Sequence, residues 1–128
     1  MSEKTHMSFY LARNTFRVFT DAVRRIGHPG YVRFLIHPDD LRMAMEAYGK
    51  KEPTSFKVPQ RLFSDSKGTS MRIHSKPFCH LLAGRMGWNT ARSYRVPGEI
   101  FSEQQVVIFD LSQAVVLNVR ESGSCPIQ

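Results

Sequence analysis

Between Tyr31 and Tyr48 apolar and polar residues alternate with a period of two, the pattern of a strand with one covered face. Val32, Phe34 and Ile36 fall on one side, and Tyr31, Arg33 and His37 on the other. Beyond Pro38-Asp39-Asp40, Leu41, Met43, Met45 and Ala47 share a side against Arg42, Glu46 and Tyr48. A Pro-led acidic turn between two such runs reads as a β-hairpin. The second run is also a sound helix start, with Asp39 near the N-terminus and good helix formers behind it. Residues 41–48 therefore carry a strand reading beside a helix reading.

Upstream, Phe16, Phe19, Val23 and Ile26 recur at helical spacing. Asn14 or Thr15 can cap the free amides of a first turn, Arg24 and Arg25 suit a last turn, and Gly27-His28-Pro29-Gly30 stops the run. This predicts a helix over 15–26. A second helix is expected after Ser75, a good N-cap, with Phe78, Leu81, Leu82 and Met86 as its stripe and Gly87 as its stop. Residues 49–69 read as a connection with one edge strand at Ser55–Pro59. Ser70–His74, Ser93–Pro97 and Gln105–Leu111 read as strands, the last apolar on both faces.

With 128 residues the chain suits one domain, expected over 1–118, with 119–128 as a flexible tail. Residues 8–52 and 70–118 each read as strand, helix, strand, strand, ending their helices in Arg25-Ile-Gly27 and Arg85-Met-Gly87. The expected fold class is α+β: two helices packed on one face of a largely antiparallel sheet, in two similar β-α-β-β halves. Its expected core includes Phe16, Phe19, Val23, Ile26, Phe34, Ile36, Phe78, Leu82, Met86, Ile108 and Phe109.

Several function classes find no support. No apolar run reaches the ~18 to 20 residues of a membrane helix, and the polar start lacks the features of a signal peptide, so a cytoplasmic protein with no membrane partner is expected. Cys79 and Cys125 form neither a disulfide framework nor a zinc pattern. The five histidines lack paired metal spacing, and no Gly-rich phosphate loop or nucleophile elbow occurs. His37 with Asp39 or Asp40 could form an acid–base or metal cluster, but a turn-setting role is simpler. Cys79 reads as a small core residue, because neighbouring His80 points about 100° away around a helix. An enzyme is not expected, nor a metal or cofactor.

Charge is the strongest functional signal. Eighteen Lys and Arg stand against 11 Asp and Glu, for a formal charge of +7, and 12 of the 18 are arginine. Arginine suits bidentate phosphate contacts and stacking on bases. Arg13, Arg17, Arg24 and Arg25 gather in or beside the first expected helix. Arg33, Arg42, Arg72 and Arg95 fall on expected strands near tyrosines, and Lys50, Lys51, Lys57, Arg61 and Lys67 lie in the connection. Arginines interleaved with aromatics on a sheet suit single-stranded nucleic acid, whereas arginines on a helix suit a duplex. The leading expectation is a small, non-catalytic nucleic-acid-binding protein of accessory or regulatory kind. Its expected contacts are Arg13, Arg17, Arg24, Arg33, Arg42 and Tyr31. The alternative is a homo-oligomeric interaction module, such as a homodimer, in which the positive charge is incidental.

Overall fold

Thr15-Phe-Arg-Val-Phe19 is a strand. Phe16 and Val18 turn inward and are fully buried, while Arg17 and Phe19 turn outward and stay partly exposed. The spacing of Phe16, Phe19 and Val23 imitates a helix, but Phe16 and Val18 also satisfy a period of two, and pairing on both sides selects the strand. In the computed structural model, which describes residues 3–60 and 70–117, the elements run β1 (Glu3–Tyr10), β2 (Thr15–Phe19), α1 (Thr20–Arg25), β3 (Tyr31–Ile36), β4 (Arg42–Tyr48), β5 (Ser55–Lys57), β6 (Ser70–His74), α2 (Lys76–Met86), β7 (Ser93–Phe101), β8 (Val106–Asp110) and β9 (Val115–Leu117). Single 3-10 turns follow β1 and β8. Arg61, Lys67 and the tail expected at 119–128 lie outside the described residues.

All described strand pairs are antiparallel, and the order is β5-β3-β4-β8-β7-β1-β2-β6, with β9 on β7. The two ends of that order curl toward each other. Phe34 of β3 and Phe56 of β5 lie 5.5 and 5.8 Å, ring to ring, from Phe16 of β2. Phe78 of α2 sits against Phe16 at 4.9 Å and against Phe34 at 5.2 Å. These rings bury apolar area and gain edge-to-face or tilted contacts across the interior. The result is a nearly closed, barrel-like sheet.

This corrects the expected α+β class with two helices on one sheet face. Most described residues in regular elements are in strands, and the helices are short. α1 follows the Phe19 end of β2 and α2 starts beside the Thr15 end, where Ser75 N donates to Asn14 O at 2.9 Å. They therefore plug opposite mouths of the barrel. α1 buries Ala22 and Val23 there, and α2 buries Cys79, Leu82 and Ala83. Ser75 caps α2 by accepting from Phe78 N, and Gly87 closes it with φ +69°. Residues 41–48 resolve as strand β4. Within the core, Phe16, Val23, Ile26, Leu82 and Phe109 are buried, and Phe34, Ile36, Phe78 and Met86 pack against them. Phe19 and Ile108 instead face outward.

The expected two similar β-α-β-β halves are also corrected: residues 8–52 hold two strands, β1 and β2, before α1, whereas within 70–118 only β6 precedes α2. Strands from the two parts meet at two seams. In one, β2 pairs β6 with the register centred on Arg17 opposite Arg72. In the other, β4 pairs β8 with the register centred on Ala44 opposite Ile108.

Candidate nucleic-acid interface

Cross-strand partners in an antiparallel sheet share a face, so the register itself places the outward side chains. Arg72 of β6 lies opposite Arg17 of β2, Arg17 opposite Ser8 of β1, and Ser8 opposite Arg95 of β7. One step along, His74, Thr15, Tyr10 and Ser93 form the adjacent row. Arg13 joins them from the 3-10 turn after β1, where Asn14 takes a left-handed conformation (φ 54°) that turns the chain back into β2. Tyr10, Arg13, Thr15, Arg17 and Arg72 line a recess of about 150 Å³.

The charge in this recess has no counter-ion among the described residues. Among the described residues, no carboxylate lies within ion-pair distance of Arg13, Arg17, Arg72 or Arg95. Like charges directly opposite on a sheet cost stability, so the Arg17–Arg72 pairing works against the fold. The Arg17 guanidinium lies 5.6 Å from the Tyr10 ring centroid, a cation–π contact that offsets part of that cost. Its Nε is shielded from solvent and has no hydrogen-bond partner among the described residues. Thr15 is tied locally, its hydroxyl donating to Arg13 O at 3.0 Å. Farther along the same face, His6 is held below the ordinary histidine range by burial and then by the charge of Arg95. Its ring meets Phe19 edge-on at 4.6 Å.

The six expected contacts are divided by the fold. Arg13 and Arg17 come together in the recess. Arg24 is half-buried on α1, at the other mouth. Arg33 forms an ion pair with Glu46, its cross-strand partner, with Nε 2.8 Å from the carboxylate, and stacks 4.3 Å over Tyr48. That hydrogen bond to Glu46 raises the Arg33 pKa. Arg42 pairs with Asp40 at 2.8 Å, and the same bond lowers the Asp40 pKa. Tyr31 lies opposite Tyr48 and Lys57 beside the Arg33 group. Phe16 and Phe34 meet inside the barrel, so their neighbours Arg17 and Arg33 project outward on opposite walls. Arg72, Arg95 and Tyr10, outside the expected set, stand beside Arg17 instead.

The residues weighed for catalysis are placed apart or engaged in the scaffold. His37 Nδ1 accepts from Asp39 N at 3.1 Å, and Asp40 accepts from Leu41 N at 2.7 Å, so this trio shapes the β3–β4 turn. Cys79 is buried among the core residues, which pushes its thiol up to about 11, and His80 is exposed. No group of three or more metal-capable side chains occurs among the described residues. No helix among them is long and apolar enough to cross a membrane. Trp88 stacks on Tyr94 at 4.7 Å and forms a corner of the core. Comparison with known protein families, curated proteins and solved structures finds no match.

Proposed function

We propose that the protein is a small, non-catalytic, cytoplasmic nucleic-acid-binding factor of accessory or regulatory kind, and that Arg13, Arg17, Arg72 and Arg95 with Tyr10 make the contact. The observation that carries this reading is the row of Arg72, Arg17 and Arg95 across β6, β2 and β7, with Ser8 of β1 between the last two and no carboxylate against it among the described residues. A fold that sets two arginines opposite each other, with no carboxylate beside them among the described residues, gives up stability, and a polyanion returns it on binding. Guanidinium forks fit phosphate oxygens in pairs. Tyr10, half-exposed at the recess, gives a ring on which an unpaired base can stack, which favours single strands over duplex. The test is fluorescence anisotropy with single-stranded and duplex oligonucleotides at several salt concentrations. The expected result is tighter single-strand binding whose affinity falls with salt, each phosphate contact steepening the slope by about 0.7. No binding to either form at low salt would overturn the reading.

A second reading, self-association, is supported by β9. Among the described residues it pairs only with β7, and Val115 and Val116 are exposed on it. An open apolar edge can take a strand from a second copy. Light scattering in the micromolar range tests this, and a monomer throughout would remove it.

A further inference from the structure

The recess is small and closely charged, and these features together select a ligand. Its volume of about 150 Å³ equals roughly five water molecules. That holds one tetrahedral oxyanion and is well below the ~300 Å³ at which pockets begin to enclose drug-sized molecules. A nucleobase with its sugar is larger than this volume and would extend out of the recess. Three arginines, Arg13, Arg17 and Arg72, line this space, with no carboxylate among the described residues to balance them.

We infer that the recess binds the terminal phosphate monoester of a nucleic-acid strand, an inference that rests on the nucleic-acid reading above. An internal phosphodiester carries a single charge and has a sugar on each side, so it suits an open groove. A monoester carries about −1.5 to −2 near pH 7 and has three free oxygens. It answers three arginines lining one recess better and leaves only one chain to accommodate. From an anchored end the strand passes Tyr10, where the terminal base stacks, and continues past Ser8 toward Arg95, which meets the next phosphate. The charges continue along the sheet in that direction, which favours a nucleic-acid end over a phosphorylated peptide.

The experiment measures the affinity of three versions of one short single-stranded oligonucleotide by anisotropy: 5′-phosphate, 3′-phosphate and both ends hydroxyl. At least one phosphorylated form is expected to bind about tenfold tighter than the hydroxyl form. Arg72→Gln, a change at an exposed residue, is expected to erase most of that preference while leaving the melting temperature unchanged or higher. Equal affinity for all three oligonucleotides overturns the inference and leaves the nucleic-acid reading standing. Absence of binding by all three overturns both. A phosphoserine peptide of matched charge that competes as well as the phosphorylated oligonucleotide overturns the nucleic-acid source. Competition by inorganic phosphate or sulfate at millimolar concentration, with none from chloride at equal ionic strength, supports a site for a tetrahedral oxyanion.

Discussion

The two seams of the barrel have the same geometry and opposite chemistry. At the β4–β8 seam, Ala44 lies opposite Ile108, with Arg42 opposite Asp110 at one end. Arg42 is also held by Asp40, so the charge there is answered from within the chain. At the β2–β6 seam the central pair is Arg17 opposite Arg72, and no described carboxylate is near. Positive charge alone therefore says little about this protein. Arg33 and Arg42 are as cationic as Arg17, yet each already has its counter-ion. What separates the seams is whether an arginine has been neutralised, and only one seam leaves a reason for an external anion.

The largest expected effect comes from converting one seam to the chemistry of the other. Arg72→Glu places a carboxylate opposite Arg17. On a sheet such a pair is worth about 0.2–1 kcal/mol where a like-charge pair was a cost, so the melting temperature rises. Oligonucleotide affinity falls about 100-fold, two decades at ~1.4 kcal/mol each. Stability and binding move in opposite directions. A drop in both, read by thermal denaturation and anisotropy on the same preparation, would mean that Arg72 serves the fold and not a ligand.

The next effect is on stability and leaves binding alone. Gly98 of β7 lies opposite Phe109 of β8. A Cβ at Gly98 would stand 2.6 Å from the Phe109 ring and 3.2 Å from Ile108 O. Phe109 is fully buried, so the ring has little room to retreat. Gly98→Ala is expected to cost about 1–3 kcal/mol, the range for overpacking a tight core. Denaturant titration measures it. The folded fraction should still bind oligonucleotide normally, because the change lies away from the arginine row.

These two predictions rest on features of unequal legibility. The hairpin of β3 and β4 could be read from the sequence because alternation around Pro38-Asp39-Asp40 has no strong local competitor. α2 could be read because Ser75 and Gly87 mark both of its ends. The strand at 15–19 could not, since Phe16, Phe19 and Val23 satisfy two periods at once and only pairing with β1 and β6 decides between them. Closure of the sheet was illegible for a related reason. It depends on Phe16, Phe34 and Phe56 meeting from distant parts of the chain, which no local pattern records. The site was half legible: Arg13 and Arg17 are close in sequence, but Arg72 arrives through long-range pairing. One signal was available. Thr15-Phe-Arg-Val18 and Ser70-Met-Arg-Ile73 share the order hydroxyl, apolar, arginine, β-branched, which puts both arginines on the outward side of a strand.

A smaller effect sharpens the contrast between free and paired arginines. Arg33→Ala and Arg42→Ala each remove one positive charge from the protein, as Arg17→Ala does. If net charge governed binding, all three would weaken it alike. If neutralisation governs, the first two change affinity by less than about twofold, since exposed pairs contribute only ~0.2–1 kcal/mol of local interaction and their loss frees a carboxylate elsewhere. Arg17→Ala should lower the salt slope by about 0.7, the share of one phosphate contact with a single strand. Equal slopes for the three variants would erase the distinction between the seams.

The smallest effect is a pH dependence at the edge of the arginine row. Burial, followed by the nearby Arg95 charge, holds His6 below the ordinary histidine value of 6.5. The unfolded chain thus takes up a proton on His6 at a higher pH than the folded protein does. The associated stability is fully present above pH 6.5 and is lost as pH falls through the folded value. His6→Gln should flatten that part of the stability curve between pH 7 and 5. Arg95→Gln should raise the His6 titration only part of the way back, because burial is the larger cause and remains. NMR titration of the His6 ring in the two proteins separates the contributions. A full return to 6.5 in Arg95→Gln would show that the charge of the row, and not burial, governs this corner of the sheet.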